Sequence, residues 1–148
     1  MDQLRLGQLT KEMVAEELRR LGDPCASAAL VVRKTLAAAF STGPALPSAG
    51  VERIIEDAVK GAMTALLLAD QSLTRGAILV LEAMVDAAAE HHIDPTLAMT
   101  AALRGLADLR RFVEPERMDD IRLEIDAHYH GAGDAFVAYL RQPLSASR

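Results

Sequence analysis

The chain has no tryptophan, and only two tyrosines and three phenylalanines among 148 residues. Without aromatic bulk, a close-packed interior has to be filled by Ala, Leu, Val, Ile and Met, which requires elements that approach one another closely. Alanine occurs 27 times, and it is the best helix former and a poor strand residue, so the expected class is all-α. Cysteine is nearly absent as well. The single Cys25 cannot form an internal disulfide, and no charged, apolar, small-residue leader opens the chain, so a reducing cytoplasm is the expected setting.

Long apolar runs are missing. The longest, 62–69 and 77–81, fall short of the roughly 18 residues that span a bilayer, so no membrane segment is expected. The net charge of −5 argues against a general nucleic-acid surface, which needs clustered Lys and Arg. No Gly-rich phosphate loop, nucleophile elbow or paired zinc cysteines occur. No Glu-x-x-His occurs either, which disfavours a di-iron carboxylate bundle. No His falls in the middle of an expected helix, as a phosphotransfer bundle would require.

What is present organises around residues 72–93. Leu73, Ala77 to Leu81, Ala83 to Val85 and Ala87 to Ala89 leave only a narrow polar stripe of Arg75, Glu82, Asp86 and Glu90. A helix this apolar must be surrounded by protein on most of its circumference. We therefore expect a single-domain bundle of about six to seven helices around it, with an N-terminal arm at 1–9, the bundle at 10–141 and a flexible tail at 142–148.

Helix punctuation divides the rest. Thr10 is the expected cap of a helix over 11–21, and Asp23-Pro24 starts a second that runs to about Phe40. Ser48 is the expected cap of a third, whose apolar face includes Ile55, Val59, Met63 and Leu66. Asp94-Pro95 opens a fifth to about Val113, Pro115 a sixth, and Asp134 a short seventh to about Arg141. If the fourth and fifth helices fold back as a hairpin, Glu82 would face Arg104 and Arg75 would lie within a turn of Asp108 along the seam.

The four histidines form two clusters, Glu90-His91-His92 and Asp126-Ala127-His128-Tyr129-His130. Imidazoles beside carboxylates can hold a divalent metal, which makes Asp126, His128, His130 and His91 the candidate ligands. Against this, both clusters sit in the last turn of an expected helix, where His ordinarily meets unsatisfied carbonyls. The stretch 121–130, IRLEIDAHYH, alternates as a strand does and would put Asp126, His128 and His130 on one face. Its Asp, Glu and Ala, and the lack of a second strand to pair with, favour a helix instead.

Cys25, near the start of the second helix, is readable as a thiolate held by the helix dipole or as a small buried apolar residue; no His is placed beside it, and the second reading is preferred. The resulting functional expectation is a non-catalytic protein acting through protein contacts, as a homo-oligomer or an accessory subunit, with no cofactor and no nucleic-acid partner. Val31, Val32, Leu36 and Leu66 to Leu68 are the expected interface residues. The alternatives are a metal-dependent protein using the Asp126, His128 and His130 cluster, and a binder of a small apolar ligand.

Overall fold

The computed structural model describes residues 8, 10–13, 22–41 and 46–143. Among them residues 8 and 10–13 are helical, six further α-helices follow, and there is no strand. They are α1 (Pro24–Phe40), α2 (Ser48–Leu68), α3 (Leu73–Glu90), α4 (Pro95–Ala107), α5 (Pro115–His128) and α6 (Ala132–Leu140). A 3₁₀ turn, Asp108–Arg111, continues α4. No helix among the described residues is long and apolar enough to cross a membrane.

The helix starts follow local chemistry. Asp23 accepts a hydrogen bond from the Ala26 amide at 3.3 Å, and Pro24 supplies the first helical residue of α1, where a missing N–H costs nothing. The pattern repeats at Asp94 and Pro95, where the carboxylate accepts from the Thr96 amide at 3.1 Å. Ser72 caps α3 through the Arg75 amide at 3.3 Å. Two expected caps are displaced. Ser48 is the first helical residue of α2, preceded by Pro47 in extended backbone with no side-chain cap. Thr10 is helical and buried, and Gln8 ahead of it is already helical and bonded to Glu12 at 3.1 Å, so that helix begins before Thr10. The remainder of the expected arm and residues 14–21 lie outside the described residues.

Helix α3 is the centre of the bundle: it packs against α1, α2, α4 and α5. Its inward residues include Ala77, Val80, Leu81 and Met84, all fully buried. Helix α4 lies chiefly along α2 and is covered on another side by α6. The expected fifth helix ends earlier than Val113, because Asp108 accepts a hydrogen bond from Arg111 Nε three residues on, at 2.9 Å, a spacing that suits the tighter 3₁₀ turn. The IRLEIDAHYH stretch is helical through His128, with Met118, Ile121 and Ile125 as its buried face. The expected tail at 142–148 is anchored at its start, since the Gln142 carbonyl accepts from Arg110 at 3.1 Å; residues 144–148 lie outside the described set.

The expected seam pairs do not form. Arg75 makes a bidentate pair with Asp23 at 2.5 and 2.6 Å, and Arg104 reaches Glu52 at 3.6 Å. Asp108 is taken by Lys60 at 3.1 Å and by Arg111. Along the acidic stripe, Arg33 of α1 bridges Asp86 at 3.5 Å and Glu90. The cause is topological: Arg75, Asp86 and Glu90 of the α3 stripe meet their partners on α1 and at its N-cap, and α4 finds its charged partners on α2. The expected interface residues also change role, because Val31, Val32, Leu36 and Leu66 are buried within the chain where α1 and α2 meet α3. Only Leu68, at 70% exposure, stands in solvent among the fully exposed members of that set.

Helices α2 and α3 both end without glycine. Gln71 N–H donates to Leu66 O and Asp70 N–H to Leu67 O, while Ile93 N–H donates to Ala88 O and His92 N–H to Ala89 O. These are Schellman turns, which need a left-handed residue, here Asp70 at φ 56° and His92 at φ 55°. A non-glycine residue there is strained. His92→Gly is therefore expected to stabilise the fold by about 0.5–1 kcal/mol, read by urea denaturation; a loss of stability would mean that the His92 side chain contributes more than its backbone costs.

Candidate functional site

The Schellman turn after α3 places Ile93 back against Ala88, and this contact forms one end of an apolar cleft. Met84, Val85, Ala88 and Ala89 of α3 make one wall; Pro95, Ala98 and Met99 of α4 make the other. Tyr129, which follows α5, closes the third side. The cleft encloses about 280 Å³. Ala88 and Ala98 are short enough to leave room between the two helices, and both are buried, so they form the floor. Val85, 37% exposed, and Ala89 stand at the mouth. Met99 flanks the space with a flexible, polarisable side chain that adapts to what lies against it, and fully buried Met84 lies beneath the α3 wall.

The only hydroxyl in the lining belongs to Tyr129. Burial raises its pKa above the ordinary value, and the fields of Glu82 and Asp86 raise it further. These two carboxylates of α3 therefore lie within electrostatic range of the cleft's edge. Tyr129 stays a neutral phenol across the physiological range.

A second, smaller hollow of about 150 Å³ lies where α2, α4 and the chain after α6 meet. It is polar, lined by Glu56, Arg104, Asp108, Arg110, Arg111, Tyr139 and neighbours. Its charges are engaged with one another. Arg104 pairs with Glu52 and lies 5.4 Å above the centre of the Tyr139 ring, and Arg110 donates to the carbonyls of Ala107 at 2.8 Å and Gln142. Asp108 is buried, which pushes its pKa up, but hydrogen bonds from Arg111 and Lys60 together with their charges outweigh burial and hold it below the usual carboxylate value.

Because the folded-state pKa of Asp108 lies below that of the unfolded chain, its contribution to stability is complete above about pH 4 and is lost as the pH falls toward the folded value. In urea denaturation, the stability gap between the wild type and Asp108→Asn is thus expected to close on acidification below about pH 4. A gap that stays constant with pH would show that the carboxylate is not titrating as an ion-paired group.

The candidate metal ligands lie apart. Asp126 Oδ1 accepts hydrogen bonds from the Gly131 and Gly133 amides, both at 3.1 Å, and so closes the turn between α5 and α6. Gly131, with φ 88°, gives that turn its left-handed step. His128 Nδ1 lies 3.0 Å from the Glu124 carbonyl on its own helix. His130 is exposed. His91 stands edge-on to Phe40 at the end of α1, ring centres 6.0 Å apart. Among the described residues, no three His, Cys, Asp or Glu side chains converge as a metal would require. Cys25 is buried, its thiol 3.4 Å from the Ser72 carbonyl, and burial raises its pKa.

Sequence reasoning overlooked the cleft, although one signal was available: α3 is apolar on three sides, more than its neighbours can cover. In comparisons with known protein families, with curated proteins and with solved structures, no match to this chain was found, so a functional reading rests on this geometry.

Proposed function

We propose that this chain is a non-catalytic helical protein acting through protein contacts, and that the cleft between α3 and α4 is its contact surface. The observation that carries the reading is the open, apolar lining of that cleft, from Val85 at its mouth to Ala88 and Ala98 at its floor. Removing such a surface from water is favourable by about 25 cal/mol per Å². A solvent-facing trough between two helices receives side chains projecting from another protein, the helix-in-groove mode of recognition. The engaged charges of the polar hollow support the non-catalytic part, since no carboxylate or cation there is held in reserve for a substrate. The partner is a second copy of the chain or the larger protein of an assembly, in a cytoplasmic setting.

The test is photocrosslinking in the organism that makes the protein, with benzoylphenylalanine in place of Val85 and, as control, of exposed Arg53 on α2. The reading expects a discrete protein adduct from position 85 and none from position 53. Equal labelling at both positions, or no protein adduct at 85, would overturn it; in the second case a small apolar ligand becomes the better occupant of the cleft.

A further inference from the structure

We infer that the partner segment seated in the cleft is an amphipathic helix whose apolar face is bordered by Lys or Arg. This rests on the cleft being a protein-contact surface, and adds the chemistry of what it receives. The shape supplies the first half of the argument. Two helix walls joined by a turn make a trough, and a helix laid in a trough presents side chains at i, i+3, i+4 and i+7 to it. Met99, half-buried on the α4 wall, can fit aliphatic side chains of differing shape.

Charge supplies the second half. Glu82, Asp86 and Glu90 run along α3 beside the mouth residues Val85 and Ala89, and all three are exposed. Arg33 is shared by Asp86 and Glu90, and Glu82 has no ion-pair partner among the described residues. Three carboxylates therefore face one guanidinium. Glu82 lies one turn before Val85 on α3 and Asp86 lies next to it, so this negative potential borders the mouth, and the same two carboxylates raise the pKa of Tyr129 on the cleft's third side. Complementary charge across an interface governs which partner is accepted more than how tightly it is held. An acidic border beside an apolar trough thus selects basic amphipathic helices and rejects acidic ones.

The test uses three synthetic helices, each with Leu on one face and Lys, Gln or Glu on the other. Binding is followed by fluorescence anisotropy at low and physiological salt. The Lys helix is expected to bind at least ~10-fold more tightly than the Glu helix at low salt, with the gap shrinking as salt rises. Glu82→Gln with Asp86→Asn should narrow that gap. Ala89→Gln, which fills the mouth without changing charge, should weaken all three helices.

Equal binding of the Lys and Glu helices, with the Gln helix still weakened by Ala89→Gln, overturns the charge inference and leaves the contact surface standing. Failure of all three to bind overturns both. Tight Lys-helix binding that Ala89→Gln does not weaken places the cationic site outside the cleft and also overturns the inference.

Discussion

Gly105→Ala is expected to destabilise this protein by about 1–2 kcal/mol, although alanine is the better helix former. Gly105 lies in α4 where it crosses α2, and a Cβ there would stand 2.6 Å from the Glu56 carbonyl oxygen and 3.3 Å from the Lys60 amide nitrogen. Both are backbone atoms of α2, so no side chain can swing aside, and the helices must separate. In an exposed helix interior the substitution gains about 1 kcal/mol of propensity; overpacking a rigid contact costs about 1–3 kcal/mol or more, and here the clash wins. Gly50→Ala is the matched control: its new Cβ meets Pro47 at an ordinary 3.7 Å, so stability should hold or rise. Chemical denaturation of the two variants decides the point. A Gly105→Ala variant as stable as the wild type would mean that α2 and α4 are not in such close approach.

Phe136→Ala is the second large effect, with an expected loss of about 3–5 kcal/mol. Helix α6 is nine residues long, too short to persist unaided, and Phe136 and Gly133 are its only buried residues. Phe136 is fully buried against the core cluster. Removing the ring leaves a cavity and loosens α6 from α4 and α5, the helices it covers. Thermal unfolding with amide exchange is the measurement: the midpoint should fall, and the amides of α6 should lose protection before those of α3. A loss under about 1 kcal/mol would show that the ring does not anchor α6.

The bundle class and most helix starts were legible because their causes are local. Asp23-Pro24 and Asp94-Pro95 carry cap and first residue in two adjacent positions, and α1 runs over the expected span. The central role of α3 was legible because its apolar circumference admits no other place. Partner choice was not legible. A polar stripe states which face of α3 is wet, but Arg33, more than fifty residues away, decides how Glu90 is satisfied. Asp126 illustrates the same limit at short range. A carboxylate beside histidines reads as a metal ligand, and its turn-closing bonds from the Gly131 and Gly133 amides just downstream were not read from the sequence. The cleft was hidden for a third reason: one end of it is closed by Ile93, which returns to the walls through a left-handed turn at His92 that sequence associates with glycine.

If the cleft is the contact surface, binding belongs to it and not to the other exposed apolar residues, of which, among the described residues, Leu68 at 70%, Phe112 at 65% and Leu123 at 53% are the most solvent-facing. The most direct measurement is amide chemical-shift mapping of the ¹⁵N-labelled protein during titration with the uncharged Leu/Gln helix. Shifts centred on Met84, Ala88, Ile93, Met99 and Tyr129 are expected. Shifts centred instead on Leu68, Phe112 or Leu123, with the cleft unperturbed, would contradict the cleft as the contact surface.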